Sequence, residues 1–239
     1  VLTRDHARLP VSHLVDRFLV LGDFSARRLE AAGVDPSRIV VKSNFVSADF
    51  QKFRSFASDS SAEPYVFFAG RLSEEKGVRT VLAAWRRLPD VPLKIAGDGP
   101  LADELRQRAE IENLRVEFLG MQPRERVLEL AAGARLQLVA SEWFEAGVPL
   151  VALEAWAMGT PVLAARIGGL TDAQASLSFE AGNARDLAEK VRAIWTDDAL
   201  AARLSIEGRR RFESIGTAQR SLTILEHTYR ELIERPVAA

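Results

Sequence analysis

The chain has 239 residues, of which 47% are hydrophobic and 27% charged, and its formal net charge is -1. That length suits one large or two modest domains, and so balanced a charge excludes a general attraction to nucleic acid or an anionic membrane, leaving any phosphate binding to local groups. With no cysteine, and with His6, His13 and His227 spaced unlike metal ligands, disulfides, thiolate nucleophiles and zinc-thiolate sites are excluded too.

The first residue is Val1, followed by neither a basic n-region nor a signal-type apolar core, so a fragment lacking its natural start is expected. RFLVL (17–21) reads as a strand, Asp23 as the cap of a helix running to about Ala32, Gly33 as its end, and RIVVKS (38–43) as a second strand, which makes one βαβ unit. The polar stretch 47–64, with SDSSAEP, has neither apolar period and reads as a linker or domain junction. YVFFAG (65–70) then has the continuous apolar run of a buried strand, and Val78, Val81, Leu82, Trp85 and Leu88 share one face of the helix after it. Strand and helix keep alternating through PLKIAG (92–97), RVEFLG (115–120), RLQLVAS (135–141), PVLAA (161–165) and LSF (177–179). Such a series implies a doubly wound, Rossmann-like parallel sheet with ligands at the carboxyl ends of its strands. From Arg185 the pattern is helical, closing on a stripe of Leu222, Leu225, Tyr229 and Leu232. The most apolar region, Val148 to Ala165, is broken by Pro149, Glu154, Gly159 and Pro161, so no transmembrane segment is expected.

Chemistry concentrates at strand ends. In SEWFEAGVPLVALEAWAMGTPV (141–162), Glu145 and Gly147 precede Pro149, which suits a first helical turn because it has no N–H to leave unpaired. Free backbone donors there would favour an anion. Glu154 lies in an apolar helical run, where an unpaired charge is costly; it is either paired to a cation or turned to a ligand, and both glutamates suit sugar hydroxyls better than acid-base catalysis. GRLSEEKG (70–77) adds Arg71 and Lys76 in a turn bracketed by Gly70 and Gly77, with Ser73 placed to cap the next helix. GDGPLA (97–102) matches a dinucleotide fingerprint, with Glu117 near the ribose-acid distance. It raises an NAD-linked oxidoreductase as an alternative, against a plain tight turn. Gly168-Gly169 reads as a turn lining the pocket, and Trp143 and Trp156 as packing residues.

The order FFAGRLSEEKG, LKIAGDGP, VEFLG, ASEWFE, ALEAWAMGTPVLA, RIGGL and FEAGNARDLAEKV resembles the donor-binding domain of retaining GT-B glycosyltransferases, in the family-4 group. The resemblance spans residues 65–235, and VDPSRIVVKSNFV is similar to the last βα unit of the acceptor-side domain. It implies an acceptor-side remnant (1–46), a linker (47–64), a donor domain (65–215) and a C-terminal helix (216–239). It also implies roles: Arg71 and Lys76 for the donor diphosphate, Glu154 for the ribose, and Glu145 for the transferred sugar. Gly70, the Leu119-Gly120 turn near the base, and backbone groups at Ala146, Gly147, Val148 and Leu150 would complete the site. The implied donor is a nucleotide diphosphate sugar, without metal or other cofactor, and the acceptor a glycan or lipid-linked molecule reached through an N-terminal domain. A cytoplasmic protein, alone or peripheral at the inner membrane face, would follow. Two departures stand out: eight residues separate Glu145 from Glu154 where the family usually has seven, and the segment from Gly169 to Phe179 is short and lacks the expected glycines. The extra residue is either absorbed as a loop bulge or displaces Glu145, and a non-catalytic binding or assembly module of the same fold is the second reading. This polypeptide alone is not expected to turn over.

Overall fold

The computed structural model describes residues 14–47, 50, 63–173 and 176–234. The expected linker therefore lies almost wholly outside the described residues, as do His6 and His13.

The first unit is β1 (Phe18–Val20), helix α1 (Asp23–Ala31) and β2 (Ile39–Val41), with the strands parallel and Phe18 in register with Ile39. Asp23 is not the cap it was expected to be. It is the first helical residue, behind Gly22, and no side chain of the local sequence closes the helix start. Asp172, distant in sequence, does so: its Oδ2 accepts from the Phe24 N–H at 2.9 Å. A carboxylate at that end also complements the helix dipole.

The second unit alternates strand and helix: β3 (Val66–Ala69), α2 (Val78–Trp85), β4 (Leu93–Ala96), α3 (Ala102–Ile111), β5 (Val116–Gly120), α4 (Arg124–Gly133), β6 (Leu136–Val139), α5 (Leu150–Met158), β7 (Val162–Ala165) and β8 (Leu177–Phe179). The six strands form one parallel sheet in the order β5-β4-β3-β6-β7-β8. Helices cover both faces, so the central strands are apolar along their whole length, and all four residues of β6 and of β7 are buried. Val78, Val81, Leu82 and Trp85 face the sheet as their spacing predicts; Leu88 is equally buried but lies just past the helix end.

Helices α6 (Ala184–Thr196), α7 (Asp198–Ile215) and α8 (Ala218–Ile233) follow. Each starts at a polar residue whose side chain accepts a backbone N–H: Asn183, Asp197 and Thr217. The chain leaving β2 joins this end of the molecule, where Val46 N–H donates to Gly216 O at 3.0 Å. The last segment is helical as its pattern predicts, and one packing expectation fails, that of Trp143. Leu222 and Tyr229 of the α8 stripe are exposed, and the residues α8 buries among the described ones are Ser221 and Thr228. Of the two tryptophans, Trp156 is fully buried whereas Trp143 is 66% exposed, because it sits on a loop at the sheet's open end. No helix among the described residues is long and apolar enough to cross a membrane.

Gly208, in the middle of α7, is placed by packing: a Cβ there would lie 2.4 Å from Cδ1 of Trp156. Replacing a mid-helix glycine with alanine ordinarily stabilises by about 1 kcal/mol. Gly208→Ala is expected to do the reverse and cost roughly 1–3 kcal/mol by overpacking, read from the urea midpoint.

Candidate functional site

The connection from β3 leads to β4 on one side of the sheet and that from β6 leads to β7 on the other, so strand order reverses between β3 and β6. The crevice outside the carboxyl ends at such a reversal is where doubly wound sheets receive ligands. A cavity of about 290 Å³ opens there, lined by Gly70, Lys76, Ser141, Glu145 and Leu150, and by Asn44 from the first unit. A larger one, about 520 Å³, lies at the opposite end of the strands around Arg135, Thr160 and Pro161. It carries no comparable constellation.

Lys76 Nζ donates to Glu145 Oε1 at 2.6 Å, and Ser141 Oγ donates to the same oxygen at 2.7 Å. Both charged side chains are largely shielded, with 33% and 21% exposure, so their attraction is screened less than that of a surface pair. The turn carrying Lys76 is sewn to the loop carrying Glu145: Glu142 N–H donates to Glu75 O at 2.9 Å and Thr80 Oγ1 to Glu142 Oε1 at 2.6 Å. Gly77 permits this approach, since it adopts φ 66° and a Cβ would fall 2.0 Å from the Ala140 carbonyl oxygen. Ser73 does not cap α2 as expected. It precedes the 3-10 turn Glu74–Lys76, and its hydroxyl donates to Glu75 Oε1, which holds that carboxyl below its ordinary range.

Arg71 and Lys76 do not converge on one point. Arg71 is exposed at the edge of an adjoining cavity of about 430 Å³, which shares Gly70 and is lined also by Gly97, Asp98, Gln122 and Val151. Gly120 ends β5 at φ 65° and accepts from Gly97 N–H at 2.8 Å; neither it nor Leu119 lines this second cavity, which Met121 and Gln122, next in the chain, do. GDGPLA follows β4, one strand away from the reversal. A Cβ on Gly99 would lie 2.5 Å from the Leu72 carbonyl oxygen, so protein backbone fills the space that a pyrophosphate would need in a dinucleotide fingerprint.

Glu154 lies on α5, buried at 8% exposure, and lines neither cavity. Arg124 Nη2 reaches its Oε1 at 3.1 Å. Burial raises the Glu154 carboxyl above its ordinary value, while the charge and hydrogen bond of Arg124 pull it down. Arg124 opens α4, where a cation opposes the helix dipole, and its pairing with Glu154 accounts for that placement.

The loop between the glutamates makes several fixed contacts. Gly169 N–H donates to Glu145 O at 2.6 Å, Ser25 Oγ to Ala146 O at 2.6 Å, and Asn44 Nδ2 to Val148 O at 3.0 Å. A Cβ on Gly147 would lie 2.3 Å from the Leu21 carbonyl oxygen, so only glycine lets the first unit pack this closely. Pro149 stands just outside the first turn of α5, at its N-cap position. Among the described residues nothing accepts from the N–H groups of Ala146, Gly147, Val148, Leu150 or Val151. Glu145 shares a cavity with Lys76. Gly168 and Gly169 border this loop, as their turn in the sequence suggests. Ser25, Asn44, Arg124, Ser141 and Asp172 were not singled out by sequence; only Arg124, a cation at a helix start, carried a local signal.

A parallel sheet of this order with its crevice between two packed units is the GT-B fold of glycosyltransferases. The chain belongs to the family described as glycosyl transferases group 1, whose model matches residues 49–211. It is 34% identical over 153 residues to the lipopolysaccharide core biosynthesis glycosyltransferase LpsE of Rhizobium meliloti, covering 61% of this chain and 43% of that protein. It is 35% identical over 161 residues to glycogen synthase of Mycobacterium tuberculosis, covering 62% of this chain and 38% of that one. The chain thus spans about two fifths of the length of these relatives. In structure it is similar to Anabaena HepE in complex with UDP, with TM-score 0.81 at 21% identity, covering 98% of this chain and 68% of HepE. It also resembles sucrose-phosphate synthase of Thermosynechococcus elongatus, with TM-score 0.79 at 24% identity, covering 93% and 60% of the two chains.

Arg124→Gln would leave Glu154 buried without its cation. An acid whose folded pKa is raised binds its proton more tightly when folded, so stability falls as pH rises through the ordinary glutamate value toward the raised one. Urea unfolding of Arg124→Gln is expected to show a loss on the order of 1–2 kcal/mol at pH 7, moderated because Arg124 is largely exposed. The loss shrinks as pH falls toward the ordinary glutamate value of 4.5.

Proposed function

We propose that the chain is the donor-binding half of a retaining glycosyltransferase that transfers a sugar, of hexosyl type, from a nucleotide diphosphate sugar to a glycan or lipid-linked acceptor. The observation that carries this reading is the Lys76–Glu145 pair in the cavity at the strand-order reversal, which Leu150 and Val151 at the start of α5 also line. A cation and several backbone donors suit a diphosphate, and a carboxylate beside them suits sugar hydroxyls. Solved relatives of the same fold include HepE with UDP and with UDP-glucose, which fits a uridine nucleotide as the first donor to test.

In this reading the donor diphosphate takes over Lys76 from Glu145, and Glu145 turns to the hydroxyls of the sugar. Arg71, at the rim of the second cavity, adds charge to the diphosphate, and Gly70 and the turn at Gly120 bound the space for nucleotide. Glu154, the residue the resemblance assigns to the ribose, lines neither cavity and is paired with Arg124, so it meets a ribose only when that pair opens. Bond breaking at the anomeric carbon places negative charge on the departing diphosphate and positive charge on the sugar. Lys76, Arg71 and the N–H groups of Ala146, Gly147, Val148 and Leu150 stabilise the first, and Glu145 the second, without a metal ion. The acceptor is bound on the opposite, N-terminal side, and association with the inner membrane face is compatible with a lipid-linked one.

Calorimetric titration with UDP-, GDP- and ADP-glucose tests the reading. Binding to at least one is expected, unaffected by a chelator, and Lys76→Ala should weaken it by roughly tenfold or more, as expected for loss of a charged hydrogen bond. No heat with any of the three, and no thermal stabilisation, would sink it.

A further inference from the structure

We infer, on the functional reading above, that Ser141 is a positioning residue: it holds one oxygen of Glu145 while the donor diphosphate takes Lys76, and so presents the other oxygen to the transferred sugar. Ser141 stands two residues past β6 and is only 2% exposed, yet it lines the cavity that Lys76 and Glu145 share. Glu145 Oε1 accepts from both Lys76 Nζ, at 2.6 Å, and Ser141 Oγ, at 2.7 Å. Among the described residues nothing donates to Oε2. The carboxylate is therefore loaded on one side and open on the other, in a cavity of about 290 Å³.

The two donors on Oε1 differ in what a ligand does to them. Lysine carries a full charge on a flexible four-carbon stem, so it follows an incoming diphosphate. Serine is neutral and short, and here it is enclosed, so its oxygen stays where the backbone puts it. That backbone is fixed at both ends of the contact. The carbonyl of Ala140, just before Ser141, packs against Gly77, where a Cβ would fall 2.0 Å away, and the Glu145 carbonyl accepts from Gly169 N–H at 2.6 Å. Without the hydroxyl, Glu145 would lose every donor on Oε1 as Lys76 left, and a carboxylate only 21% exposed would then hold on to the lysine against the diphosphate. With it, Oε1 keeps a partner and Oε2 is left to accept from a sugar hydroxyl. The serine hydroxyl has a single proton and Glu145 receives it, so its influence on the sugar runs through that carboxylate.

Calorimetry tests this by comparing a nucleotide sugar with its nucleoside diphosphate: UDP-, GDP- or ADP-glucose, whichever binds in the titration above, against UDP, GDP or ADP to match. The readout is the ratio of the two affinities in one sample of protein, in which any change in the folded fraction cancels. Ser141→Ala and Glu145→Ala are each expected to lower the preference for the nucleotide sugar roughly five- to tenfold, the scale of one hydrogen bond to a charged group. Ser141→Ala added to Glu145→Ala should change the ratio no further, because the serine acts through the glutamate. An unchanged ratio in Ser141→Ala, or a further fall of the same size in the double variant, overturns the inference and leaves the donor reading standing. A ratio that Glu145→Ala leaves unchanged removes the glutamate from the sugar, and the inference with it. If none of the three nucleotide sugars binds, the donor reading itself fails and takes the inference down too.

Discussion

Everything at the site depends on one constraint: two strand ends, β3 and β6, must bring their loops close enough for a lysine of one to meet a carboxylate of the other. Parallel strands sit close to 5 Å apart, so the separation of β3 and β6 is set by the sheet itself. The loops do the rest through backbone hydrogen bonds and one glycine, Gly77, that leaves room for the Ala140 carbonyl. Opposite charges placed this near, and shielded from water, favour a resting state in which each occupies the other. A ligand that offers the lysine a better anion and the carboxylate a set of hydroxyls replaces both halves of the pair together. Neither half is left bare, which lowers the cost of opening the site.

The glutamate within α5 presents the opposite problem. Its helix is apolar all round, as befits an element packed on a sheet and under α7, and one carboxylate in that setting needs compensation. Arg124 supplies it from the start of α4. Two ion pairs thus link distant parts of the chain, one in the crevice and one on α5 outside both cavities, each joining residues about thirty to seventy positions apart in sequence. Their different burial makes them chemically distinct: the pair in the crevice is open to exchange, and the pair on α5 mainly offsets burial.

The alternation of strands and helices was legible because parallel strands buried on both faces read as uninterrupted apolar runs, and because glycine and proline punctuate them. β3, β6 and β7 fall within a residue or two of their expected bounds, and Glu145, Lys76 and Gly70 meet as the order of motifs suggested. What was illegible depended on partners distant in the chain. The stripe of Leu222 and Tyr229 has helical spacing but faces solvent, since spacing tells which residues share a face and not what that face meets. Trp143 shows the same limit in a loop. Arg71 and Lys76, five positions apart in one connection, looked like a single pair of cations, yet Lys76 ends a 3-10 turn and the two residues line adjoining cavities.

The cap on α1 has a wider meaning for how the chain divides. A boundary drawn along the sequence between the first unit and the second would pass cleanly through polar residues, and it separates two different sheets. The accounting of backbone hydrogen bonds does not respect it. The amino terminus of α1 is completed by Asp172, some 148 residues later. Cutting at the polar stretch would leave an open helix end on one piece and a buried carboxylate without its donor on the other. The two sheets are therefore separate in their strands but joined in the hydrogen bonding of a helix end, which a boundary drawn from the sequence alone would cut.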